Sequence, residues 1–100
     1  MRHIFLPLLA VTSLVTPAQA DMELAQKKNC MTCHAVEKKV VGPSFKTIAN
    51  KYAGQNVNAK LGGKITQGSA GTWGAVPMPA NPQVSPAESQ TLLKWIMSLK

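Results

Sequence analysis

Cys30-Met31-Thr32-Cys33-His34 is the stretch on which the reading of this chain turns. Its two cysteines are the only ones present. A C-x-x-C pair is open to three readings: a disulfide, half of a metal site, or haem attachment. A disulfide across so short a loop stabilises little. A structural zinc site needs four ligands, more than the chain offers once its N-terminal histidine is set aside. A thioredoxin-like dithiol calls for a βαβ context, which is absent. The following histidine completes C-x-x-C-H, the pattern of c-type haem attachment. On a helix, residues three and four apart share a face, so Cys30, Cys33 and His34 can converge on one ligand. The two thiols add to the haem vinyl groups as thioethers, His34 offers its imidazole to the iron, and Met31 and Thr32 point elsewhere.

Upstream of this motif the chain reads as an export leader. Met1-Arg2-His3 is a short positive start, Ile4 to Val15 is apolar, and Ala18-Gln19-Ala20 has the small-x-small form of a cleavage site. Cleavage is expected between Ala20 and Asp21, which makes residues 1–20 a signal peptide and residues 21–100 the mature domain. The apolar run falls short of the ~20 residues of a spanning helix, so no stable membrane insertion is expected after cleavage. The expected location is the periplasm. The mature part carries ten lysines against four acids. A single domain of that size buries too little surface to be secure without a staple or cofactor. Phe45, Tyr52, Trp73 and Trp95 are its only aromatic residues, so a large apolar cofactor would fill the centre.

Downstream, the helical signals dominate and no strand-like alternation of useful length occurs. A first helix is expected over about residues 22–31. Ser44 caps a second, which runs to about Tyr52 before Gly54, with Phe45, Ile48, Ala49 and Tyr52 on its buried face. A third is expected from Val57 to Gln67, with Leu61 and Ile65 inward. Gly62 and Gly63 inside it each cost about 1 kcal/mol against alanine and permit a close approach. Ser85-Pro86-Ala87-Glu88 is a capping box with proline at the first helical position, and Leu92, Trp95, Ile96 and Leu99 form the inward face of the last helix. The expected fold class is all-α: about four short helices around one cofactor. A Gly- and Pro-rich loop from Gly68 to Val84 interrupts them, and a loop of that length in so small a domain points to function.

The sixth iron ligand separates a carrier from an enzyme. His3 leaves with the leader, so two histidines of one mature chain cannot bind the iron. Met22, Met31 and Met97 sit on helical segments where packing explains them. Met78 stands in the long loop between Pro77 and Pro79, each with a fixed φ and no backbone donor. A stiff loop presenting a thioether suits a permanent axial bond. Such ligation favours reduced iron and raises the potential. With both axial positions taken, no site is open for oxygen or peroxide. If Met78 does not bind, a five-coordinate haem enzyme or sensor is the alternative. An electron-entry subunit of a larger redox complex is a further one.

The motifs together resemble the small class I bacterial cytochromes c of the cytochrome c-551/c-552 group. The likeness spans nearly all of residues 21–100 and rests on CMTCH, Val41-Gly42-Pro43, KYAG, the run Gly74 to Asn81 and the terminal QTLLKWIMSLK. It implies a cytochrome c fold with one covalent haem c and an electron carrier rather than an enzyme. It further implies that the Pro43 carbonyl accepts the Nδ1–H of His34, that Trp73 donates to a haem propionate, and that Asn81 approaches the Met78 sulfur. Lys64 stands where many relatives have a propionate-binding arginine, and a lysine there loses the bidentate fork. The lysine-rich surface is expected to steer docking onto redox partner proteins with acidic surfaces. A monomer is expected. Export and the lack of aromatics among the basic residues argue against nucleic acid.

Overall fold

Four α-helices form in the order α1 (Pro17–Lys27), α2 (Phe45–Lys51), α3 (Asn58–Gln67) and α4 (Pro86–Met97). This computed structural model describes residues 2–12 and 14–100; Met1 and Ser13 of the expected leader lie outside the described residues. Among the described residues there is no strand, and two isolated antiparallel bridges, His34 with Lys39 and Ser69 with Met78, are the only extended pairings. The all-α expectation is met.

α4 is the centre of the packing, since it touches α1, α2 and α3. Its start follows from local chemistry. The Ser85 hydroxyl accepts from the Glu88 amide at 3.1 Å, and the Glu88 carboxylate accepts from the Ser85 amide at 3.0 Å. This satisfies two donors that a helix N-terminus otherwise leaves free. Leu92, Leu93, Trp95 and Ile96 are buried along it, while Leu99 is only partly so. They meet Phe45, Ala49 and Tyr52 of the α2 segment and Val57, Leu61 and Ile65 of the α3 segment in one core.

α3 and α4 approach closely at Gly62. The Ser89 hydroxyl, itself buried, donates to the Gly62 carbonyl at 2.8 Å. A Cβ on Gly62 would lie 2.3 Å from the Gln90 amide nitrogen. Gly63 faces open space, so only one of the two glycines serves the close approach.

The first helix differs from expectation at both ends. It starts at Pro17, inside the expected leader, because Thr16 and Gln19 form a capping box and Pro17 takes the first turn. It ends at Lys27, and Asn29 adopts a left-handed conformation with φ 67°. That residue breaks the helix, and Cys30–Thr32 form a separate 3₁₀ turn. The cysteines are therefore not on a continuation of α1. The apolar leader side chains of Ile4, Phe5, Leu8 and Leu9 are all exposed and contribute nothing to the core. No helix among the described residues is long and apolar enough to cross a membrane.

Candidate cofactor site

The attachment turn is held by its own backbone. Cys33 and His34 amides both donate to the Cys30 carbonyl, at 3.2 and 3.0 Å. The chain then folds back, and the Val41 and Gly42 amides donate to the Cys33 carbonyl at 3.1 and 2.7 Å. This short return brings Gly42 and Pro43 against the His34 ring. Neither cysteine is in a disulfide. Burial pushes the Cys30 thiol above its ordinary pKa, so it stays protonated at neutral pH. A reactive redox thiolate needs the opposite shift.

His34 is buried and fixed on three sides. Its Nδ1 lies 2.7 Å from the Pro43 carbonyl oxygen. An oxygen there can only accept, so Nδ1 carries the proton and the Nε2 lone pair is left for a metal. The ring stacks on Phe45 with centroids 5.0 Å apart, and Phe45 meets Trp95 edge-on at 5.4 Å. On the remaining side lies Gly42, where a Cβ would stand 2.6 Å from the ring carbon Cε1. Only a glycine leaves the imidazole room. Asn29 and this Gly42 contact were not singled out from sequence. Asparagine's tolerance of positive φ directly after a helix was the one signal available for Asn29.

The turn opens on a cavity of about 600 Å³, lined by Cys30, Cys33, His34, Pro43, Lys64, Trp73, Met78 and Asn81 among others. Such a volume falls within the range of cofactor sites. All eight residues selected from sequence thus border one space, which α2, α3, α4 and the long loop enclose. The donor set fits haem c: two thiols on one turn, an imidazole with its outer nitrogen committed, and a thioether bordering the same cavity.

The loop carrying Met78 is pinned by backbone pairing. Ser69 and Met78 exchange two hydrogen bonds, at 3.0 and 2.8 Å. Gly68 permits this with φ 83°, since a Cβ there would meet the Met78 carbonyl oxygen at 2.6 Å. Asn81 ties the exit of the loop to α3: its amide nitrogen donates to the Ile65 carbonyl at 2.9 Å and to that of Pro79 at 3.3 Å. Both side-chain hydrogens of Asn81 therefore have carbonyl partners in this arrangement, rather than aiming at a sulfur. Lys64 Nζ donates to Thr72 Oγ1 at 3.2 Å. The Lys51 ammonium sits 4.5 Å over the Trp73 ring, which remains 37% exposed.

The family model for cytochrome c matches residues 22–100. The chain is 48% identical to cytochrome c-552 of Nitrosomonas europaea over 103 aligned positions that cover all of both chains. It is 43% identical to cytochrome c-551 of Pseudomonas aeruginosa, covering 98% of this chain and 97% of that one. The crystal structure of wild-type Nitrosomonas europaea cytochrome c552 superposes with a TM-score of 0.75 at 52% identity, covering 79% of this chain and 99% of that one.

Proposed function

This chain belongs to the cytochrome c family, an electron carrier with covalently bound haem c, and we propose that Cys30 and Cys33 hold the haem while His34 and Met78 ligate its iron. When bound, the haem supplies an iron that accepts and returns one electron. His34 offers Nε2 in a fixed orientation because Pro43 and Phe45 leave its ring no freedom. Met78 offers a soft sulfur, which favours the reduced iron. The observation that carries this reading is the 2.7 Å contact between His34 Nδ1 and the Pro43 carbonyl, since it sets the tautomer that metal ligation requires.

Trp73 and Lys64 line the same cavity and would be the residues that meet the propionates. Asn81 acts by holding the loop that presents Met78. The exposed apolar residues Val41, Trp73 and Val76 border the same cavity as Lys39 and Lys64. A redox partner with an acidic surface would meet both the charges and an apolar contact there. The carrier works as a periplasmic monomer after cleavage between Ala20 and Asp21. Two findings support that processing: the family match begins at residue 22, and the leader's apolar side chains are exposed. Cleavage would remove Thr16 and the capping box, leaving Asp21 and Glu23 at the positive end of the shortened helix.

The optical spectrum tests the axial set. The ferric protein is expected to show the weak far-red charge-transfer band of iron–thioether ligation. In Met78→Ala that band should vanish, the reduction potential should fall, and carbon monoxide should bind without denaturant. A high-spin wild type that binds carbon monoxide directly would overturn Met78 ligation in favour of a five-coordinate haem.

A further inference from the structure

We propose that Gln83 is a positioning residue: its side chain clasps the exit of the Met78 loop to the attachment segment and so governs how readily the Met78 sulfur leaves the iron. The inference rests on the axial role proposed for Met78. Gln83 and Lys28 stand 55 residues apart and pair reciprocally. Gln83 Nε2 donates to the Lys28 carbonyl at 3.0 Å, and Lys28 Nζ donates to the Gln83 carbonyl at 3.0 Å. The second Nε2 hydrogen goes to Asn81 Oδ1 at 3.1 Å. Two oxygens face this nitrogen, so the amide orientation is dictated by chemistry.

The consequence lies in what each partner holds. Lys28 is two residues before Cys30 and closes α1. Asn81 is three residues after Met78 and donates to the Ile65 carbonyl of α3. One amide therefore joins the segment that bears the thioether cysteines to the segment that bears the axial sulfur. The loop itself is short of side-chain anchors elsewhere: from Ser69 to Pro82 the side-chain hydrogen bonds among the described residues are those of Asn81 and the Lys64–Thr72 contact. If the side-chain clasp opens, the loop exit keeps its tie to α3 and the Lys28 Nζ bond to the Gln83 carbonyl, but loses the Gln83 amide's tie to the attachment segment.

Exchange of the ferric axial ligand reads this directly, with imidazole as the probe on the holoprotein. The Met78 sulfur–iron bond breaks and an imidazole nitrogen–iron bond forms, with no change in oxidation state. At saturating imidazole the limiting rate is that of loop opening. Gln83→Ala should raise it roughly three- to tenfold, the usual worth of such hydrogen bonds. It should also speed hydrogen exchange of the Met78 and Asn81 amides. The matched control is Gln90→Ala, which removes the same kind of bond, Gln90 Nε2 to the Asn58 carbonyl at 3.0 Å, on the α3–α4 side. It should leave both readouts unchanged. An unchanged rate in Gln83→Ala, or equal acceleration in Gln90→Ala, would overturn the role of Gln83. A wild type without the far-red band would overturn it differently, by removing Met78 from the iron before any variant is made.

Discussion

The two sides of the site are built by different means. On the His34 side, the imidazole is fixed by side-chain packing that runs through Phe45 to Trp95 in the core. On the Met78 side, the thioether sits on a loop held by backbone pairing with Ser69, by two prolines and by the amides of Asn81 and Gln83. The first arrangement yields only if the core yields. The second can open locally, since exposed hydrogen bonds with few buried apolar contacts mark the low-stability part of a fold. This predicts that mutations on the His34 side act on the whole domain, and that those on the Met78 side act first on the proposed axial bond.

Loss of the thioethers is the largest perturbation and should break the contrast altogether. Cys30→Ala/Cys33→Ala should retain no haem after denaturing electrophoresis and should lose most of its helical circular dichroism. A core of this size cannot compensate for a lost cofactor. A folded, haem-free double variant would contradict that account.

The glycines sharpen the comparison most directly. Gly68→Ala places a methyl group against the Met78 and Pro79–Ala80 backbone, at a φ that side chains rarely adopt. It should cost about 2–4 kcal/mol and abolish the far-red band before the protein unfolds. Gly42→Ala presses on the His34 ring instead. It should cost about 1–3 kcal/mol while band loss and unfolding coincide on heating. Parallel thermal melts followed at the band and by circular dichroism would separate the two patterns.

The smallest effect concerns Glu88, which pairs with Lys28 next to the attachment segment. The Ser85 amide, and after it the Lys28 ammonium at 3.2 Å, hold its carboxyl below the ordinary value of 4.5. A folded-state pKa below the unfolded one stabilises at higher pH, and that contribution is lost as pH falls through the folded value. The melting difference between wild type and Glu88→Gln should therefore be present at neutral pH and shrink as the pH falls through the lowered folded-state value. It should stay small throughout, because the carboxyl is solvated. A difference that grew on acidification would contradict the sign.

Several features were legible from the sequence because their causes are local. The capping box at Ser85, the Ser44 cap and the inward faces of α2, α3 and α4 each follow from residues a few positions apart, and the structure has them where the spacing placed them, except that Ile48 and Leu99 are half-buried and Leu93 is buried as well. The start of α1 is also written locally, in Thr16 and Gln19, within the segment whose sequence also has the form of an export leader. Its end carries a single local mark, asparagine's tolerance of positive φ at Asn29, set within a run of helix formers that gives no other sign of a break.

Cys30, Cys33 and His34, with which the reading began, show the same division. Their order alone pointed to a covalent haem, because the chemistry of attachment needs only two thiols and an imidazole at that spacing. What holds His34 depends on Gly42, Pro43 and Phe45 closing around it. What holds Met78 depends on Ser69, Asn81 and Gln83. Most of those contacts join residues from eight to 55 positions apart, and only the folded chain, by paying the entropy of closing such loops, brings the partners together.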